Sequence, residues 1–446
     1  MRFVLDILYA LGLLAMSPVW LYRMVRHGRY RSDNGQRLAG SVPIRYGLQP
    51  IIWIHAVSSG EVNAARTLVD ELHSQLPDYQ VVVSSSTDTG MAAARRRFAP
   101  GHWVFRWPMD FSLTVSRALK RLRPDLVVLI EGEVWPNFLG ACKRRGIPAV
   151  VVNGRLGADK GYPRYKKLGP LAARLFNRLT ALGVQTEGYA QLFRSLGVDA
   201  GKLHVTGMMK FDTALTDDCV PGRDELAAAL GVGADEKLVI AGGTGPGEEE
   251  LLLDVWPGLK AAHPSARLAI VPRKPERFDE VARLIVQRGL TCIRRSENPD
   301  GGEAPADGDA VILGDTMGEL CKFYSLASCV FVGRSLAPMG GSDMIEAAAL
   351  AKPTAFGPHT FNFPQADDLA AHGCVRVADA DELARQLDSW LADPAAARSA
   401  GQAARQYVIS RQGATRRNVE MICRVLHRVP AAVPGDIATD EIAVEV

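Results

Sequence analysis

The feature that most constrains this chain is a repeated alternation of short apolar runs with stretches of helical periodicity, the pattern of βα units and parallel sheets. Candidate strands fall at Ile51–His55, Gln80–Ser84, Leu126–Ile130, Ala149–Asn153 and Ala181–Val184. Helices are predicted between them over Gly60–Leu76, Ser112–Arg121, Pro136–Arg145 and Leu168–Asn177. The alternation restarts at Leu238–Ala241 and continues through Arg267–Val271, Thr291–Ile293, Ala310–Leu313, Ala327–Val332 and Thr354–Phe356. The reading is α/β, with two doubly wound domains at 31–212 and 225–428 joined by a turn-rich linker at 213–224. Two facing sheets of this kind would put the carboxyl ends of their strands around one cleft, where ligands of such sheets bind. Glu297–Asp309 reads as a surface insertion, and the Ala-, Val- and acid-rich stretch 429–446 as a disordered tail.

The first 30 residues depart from that pattern. Phe3 to Val25 is almost wholly apolar, broken only by Asp6 before Arg23. As a helix it would extend about 35 Å, enough to cross a bilayer core of roughly 30 Å, or it would lie on the membrane as an anchor. The strictly uncharged run, Ile7 to Tyr22, is slightly short and contains Pro18. Arg23, Arg26, Arg29, Arg31 and Arg37 follow, so the positive-inside bias places the remaining chain in the cytoplasm. Seven cysteines without a CxxC pair fit a reducing compartment. Lysine and arginine number 52 against 49 acidic residues, too even a balance for a nucleic-acid partner. None of the nine histidines forms an HExxH or similarly tight pair, so neither a metal site nor a cofactor is expected.

Chemistry-bearing residues cluster after the predicted strands. In His55-Ala-Val-Ser-Ser-Gly-Glu61, Glu61 opens a helix, where it would accept a proton from a hydroxyl or simply complement the helix dipole. In Ile130-Glu-Gly-Glu-Val-Trp-Pro136, Glu131 and Glu133 would face one side and bind sugar hydroxyls, or Glu133 would sit near a helix that Pro136 starts. Arg273, Lys274 and Arg277 follow another strand and would neutralise a phosphate, or form a solvated cluster. The most phosphate-like loop is Gly333–Glu346. There Gly340 and Gly341 permit close backbone approach, the amides at the helix start would hold an anion, and Glu346 would bind ribose hydroxyls. A basic surface built from the Arg23–Arg37 segment with Lys160, Arg164, Lys166 and Lys167 would hold anionic phosphates at the bilayer, or be merely solvated.

Taken in order, IWIHAVSSGEVNA (51–64), EGEVWPN (131–137), VVNGRL (151–156), GYPRYKKLGPL (161–171), VTGMMKFD (205–212), VPRKPERF (271–278), GDTMGEL (314–320) and FVGRSLAPMGG with EAAALAKPTAFGPHTFNF (331–363) resemble the 3-deoxy-D-manno-octulosonic acid (Kdo) transferases. The resemblance covers nearly the whole chain. It implies the GT-B fold, two facing Rossmann-like domains behind a membrane anchor, the first binding acceptor and the second the nucleotide sugar. It further implies inverting transfer of Kdo from CMP-Kdo to a hydroxyl of a lipid A precursor, in lipopolysaccharide assembly. Glu61 would then be the catalytic base, with Ser59, Gly60, Glu131, Glu133 and Arg155 on the acceptor or sugar. Arg273, Lys210, Gly340, Gly341, Ser342, Asp343 and Glu346 would hold the donor and its phosphate. The chain departs from the family where GGHN is replaced by Gly340-Gly-Ser-Asp343 and where Gly243-Thr-Gly-Pro-Gly-Glu248 stands for a Ser-Thr-His-Glu-Gly-Glu-like turn. A transferase or epimerase of similar fold with a UDP-linked donor, or a tethered nucleotide-binding protein without activity, are the competing readings.

Overall fold

The computed structural model describes residues 2–27, 33–157, 161–233, 235–299 and 308–426. The tail predicted at 429–446, the middle of the Glu297–Asp309 insertion, and Arg29, Arg31 and Lys160 lie outside them. The chain divides into two compact units, one running to Thr213 and resuming at Gln412, the other Ala214–Arg411.

The first unit is built on seven parallel strands: β1 (Ile51–His55), β2 (Gln80–Ser85), β3 (Trp103–Arg106), β4 (Leu126–Ile130), β5 (Ala149–Gly154), β6 (Ala181–Val184) and β7 (Leu203–Val205). Their order is β3-β2-β1-β4-β5-β6-β7. β1 and β4 are buried along their whole length, as strands covered by helices on both faces must be. One face packs Trp53 against Phe105, Trp107 and Phe138, with ring centroids 5.1–5.4 Å apart. The other face packs Ile52, Ile54 and Val128 under the helix Ser59–Gln75.

That second face is closed by the last helix, Ala414–Val425, which inserts Val419, Met421, Ile422 and Cys423 into the core. Asp212 accepts the amides of Gly413 and Thr415 at its start. Sequence periodicity assigned residues up to 428 to the second domain; the helix instead belongs to the first, held by contacts some 200 residues apart that local pattern does not encode.

The second unit repeats the plan: β8 (Lys237–Thr244), β9 (Ala266–Pro272), β10 (Cys292–Arg294), β11 (Val311–Leu313), β12 (Cys329–Val332), β13 (Thr354–Phe356) and β14 (Val375–Arg376). All pair in parallel, in the order β10-β11-β9-β8-β12-β13-β14. Each sheet reverses its winding once, between β1 and β4 in the first and between β8 and β12 in the second. Ligands of open α/β sheets bind at such reversals, outside the carboxyl ends of the strands.

Arg2–His27 is one helix, but no described helix is long and apolar enough to cross a membrane. Asp6, which reads in sequence as a flaw in an apolar span, is a docking residue. Its Oδ1 accepts the Ser112 amide and the Asn137 side-chain amide, each at 2.9 Å. Tyr9 donates to Asp110 at 3.2 Å, and Asp110 also takes the amides of Asn137 and Phe138. Burial outweighs those bonds and raises the Asp110 carboxyl to about 6.

Candidate functional site

The predicted acidic residues of the first unit all fall at its winding reversal. Glu61 lies in the first turn of the helix that follows β1, with Ser59 and Gly60 exposed beside it. Its carboxylate turns back on the chain. Oε2 accepts the Val57 amide at 2.9 Å, and Oε1 accepts the Ser58 hydroxyl at 2.9 Å and the Ser58 amide at 3.3 Å. Ser58 Oγ in return accepts the Glu61 amide, completing a capping box. Ser58 is the residue that sequence reasoning missed, although Ser-x-x-Glu ahead of an apolar helix was there to be read. Glu61 is 9% exposed, and burial pushes its carboxyl above the ordinary carboxylate range, against the hydrogen bonds and the Arg155 charge that lower it. It is thus both the helix cap of the plainer reading and a fixed, hard-to-ionise carboxyl suited to proton transfer.

Glu131 and Glu133 follow β4, on the other side of the reversal. Glu131 adopts φ 62° and Gly132 φ 113°, so the turn leaves the strand sharply rather than extending it as predicted. Arg155, after β5, pairs with Glu131 at 3.3 Å. Desolvation raises the Glu131 carboxyl, with Arg155 and Lys210 lowering it and Glu61 and Glu133 raising it. Desolvation also raises Glu133, with Glu61 adding to the effect. Three carboxyls and two cations therefore share one electrostatic neighbourhood. Lys210, grouped by the sequence reading with the donor residues, stands in the first unit beside these acids.

In the second unit the loops after β8 and β12 meet at the reversal. Glu248, fully buried, is their organiser: Oε2 accepts the amides of Gly245 and Arg334, and Oε1 those of Ser335 and Leu336. Sequence reasoning gave it no role. Ser342 Oγ donates to the Gly243 carbonyl at 2.7 Å, tying the same two loops. Gly340 and Gly341 have φ of 88° and 87°, and a Cβ on Gly340 would stand 2.0 Å from the Asn362 side chain.

The open helix start expected here is partly spent. The Gly341 amide donates to the Arg334 carbonyl, Asp343 accepts the Ile345 amide at 3.1 Å, and the helix Ile345–Ala349 has five residues. Glu346 and Asp343 carry charge toward the buried Tyr324 hydroxyl, as does Arg273 with opposite sign. Of the three cations after β9, Arg277 is buried against Glu249 and Glu280, at 2.6 and 3.0 Å, and Lys274 pairs with Glu276. Arg273 is exposed at the strand end. Among the described residues no group of three or more His, Cys, Asp or Glu is placed to hold a metal ion.

Two such parallel sheets, each reversing its winding once, are the architecture of the GT-B class of folds. A glycosyltransferase from Rickettsia africae is similar at TM-score 0.57 and 14% identity, covering 85% of this chain and 99% of its own. The UDP-GlcNAc 2-epimerase of Neisseria meningitidis is similar at TM-score 0.58 and 14% identity, with 84% and 100% covered; at such identity both show the fold alone. Residues 25–213 match the family described as 3-deoxy-D-manno-octulosonic-acid transferase (kdotransferase). The 3-deoxy-D-manno-octulosonic acid transferase of Haemophilus influenzae is 32% identical over 95% of this chain and 96% of its own, and that of Bordetella pertussis 33% over 93% and 98%. The chain belongs to this family.

Proposed function

We propose that the protein transfers Kdo from CMP-Kdo to a hydroxyl of a lipid A precursor, inverting the anomeric carbon, with Glu61 as general base. The observation that carries this reading is the Glu61 carboxyl, fixed by Val57 and Ser58 at the sheet reversal and raised by burial in a chain of this family. A carboxyl raised above its ordinary range is a stronger base than a solvated one. Glu61 removes the acceptor's hydroxyl proton as that oxygen attacks the Kdo anomeric carbon; the bond to the CMP phosphate breaks, and the phosphate leaves with the electron pair. Glu131, Glu133 and Arg155 hold acceptor or sugar hydroxyls, beside the exposed Ser59–Gly60 turn. Arg273 and the Gly340–Glu346 segment bind the nucleotide and its departing charge.

The N-terminal helix lies on the inner-membrane surface rather than crossing it. Its exposed Phe3, Val4, Ile7, Leu11 and Leu14 enter the lipid, and the catalytic units stand on the cytoplasmic face. Incubating the purified chain with CMP-Kdo and lipid A precursor and weighing the glycolipid tests the activity. Mass increments of one or more Kdo units are expected. No increment with CMP-Kdo, alongside turnover of a UDP-linked sugar, overturns the assignment.

A further inference from the structure

The first unit holds an apolar cavity of about 400 Å³ between the N-terminal helix and the loop after β3. Leu8, Leu13 and Met16 form one wall, and Trp107, Phe111 and Trp135 the other. Two polar groups at its edge are spent inside the protein, Tyr9 on Asp110 and Ser86 on the His55 ring at 3.2 Å. A cavity of this size falls within the range of small-molecule sites, and walls this apolar, with the buried Trp135 Nε1 donor left unpaired, favour a mainly hydrocarbon guest.

Its position is as informative as its lining. His55 ends β1 and stacks on Trp107, with centroids 3.8 Å apart, while Trp135 stands two residues after Glu133. Thr87, next to Ser86, donates to the Val57 carbonyl, and the Val57 amide holds Glu61. The cavity therefore opens at the same end of the sheet as the acidic cluster. The helix that walls it also exposes Phe3, Ile7 and Leu14 by 60% or more on its outer flank. Leu8 and Met16 of the cavity wall are themselves partly exposed, so the cavity is open along the apolar surface of this helix.

We propose that this cavity takes one acyl chain of the acceptor glycolipid, so that the N-terminal helix is part of the acceptor site and not merely a tether. The inference rests on the Kdo-transfer reading, which requires a lipid-linked hydroxyl at Glu61 and thus brings attached hydrocarbon to this end of the sheet. Gly12 lines the cavity, and a Cβ there meets nothing within 4 Å, so Gly12→Phe fills the space without displacing the helix.

With the full chain in detergent, Gly12→Phe should raise KM for the acylated acceptor at least tenfold and leave KM for the deacylated acceptor within twofold. Equal effects on both acceptors, or none on either, overturn the proposal. A readout free of turnover uses dibrominated hexadecanoic acid to quench Trp107 and Trp135 in a Trp20→Phe background. Quenching should be strong in that background and lost on adding Gly12→Phe. Quenching that survives Gly12→Phe refutes the cavity; quenching that is lost as expected, in a chain that transfers nothing from CMP-Kdo, supports the cavity and refutes the function.

Discussion

Replacing Glu61 by Gln separates the two jobs its carboxyl performs. General-base assistance is worth 10²–10⁴-fold, about 3–5 kcal/mol of barrier. The structural job is smaller. Gln at the third helical position still completes a capping box with Ser58. Its single acceptor oxygen replaces two that together take three hydrogen bonds, a loss of about 1 kcal/mol. Part of that is returned, because the buried charge is gone. The folded carboxyl is raised above its unfolded value, so the native state holds the proton more tightly, and stability falls as pH rises from the ordinary carboxylate range through the folded value. Glu61→Gln removes that slope. Steady-state kinetics with CMP-Kdo and acceptor, beside urea unfolding and CMP titration, should show kcat down at least 100-fold, unfolding free energy within about 1 kcal/mol of wild type and unchanged CMP affinity. A kcat within fivefold of wild type would refute the assignment. Ser58→Ala, which keeps the carboxylate but removes a donor that lowers its pKa, should move the acid limb of kcat/KM to higher pH.

Three further outcomes follow from other hydrogen-bonded groups. Glu248→Ala strands the amides of Gly245, Arg334, Ser335 and Leu336, and thermal unfolding should register a loss of about 3–5 kcal/mol; an unchanged midpoint would show that the loop stands without it. Asp6→Ala leaves the amides of Ser112 and Asn137 unpaired, so hydrogen exchange over residues 2–27 should quicken while the strands of the first unit keep their protection. His55, fully buried, is lowered by desolvation to about 3, so the unfolded chain alone binds the proton between pH 6.5 and 3 and stability drains away as pH falls through that window. His55→Gln should flatten the acid arm of a stability–pH curve, and an unaltered arm would contradict the assignment of that slope to His55.

What the sequence disclosed, and what it withheld, follows the reach of the interactions. β1, β4 and β6 match their predicted limits because each is a short buried apolar run, and local composition carries that information. β7 and β14, with three and two residues at sheet edges, have too little pattern to be read. Trp103–Arg106 ends in a charged residue, and the helix Asp88–Phe98 carries three consecutive arginines that blur its apolar face. The acidic cluster was legible as separate motifs because each follows a strand; that Lys210 stands beside Glu131 was not, since only folding brings residues 79 positions apart together. Asp6 shows the same limit, its partners lying 106 and 131 residues downstream.

The return of Ala414–Val425 to the first unit bears on how the molecule is made. A ribosome that has finished residues 51–213 has issued every strand of that sheet and the helix Ser59–Gln75 over Ile52, Ile54 and Val128, but not the helix that packs beside it against β5 and β6. The nascent sheet must wait, the apolar strip over β5 and β6 still bare, until residues 414–425 have been made about 200 residues later. A stop codon just past Arg411 would spare the second unit yet leave that strip of the first permanently open, so a late truncation should injure the earlier-made half.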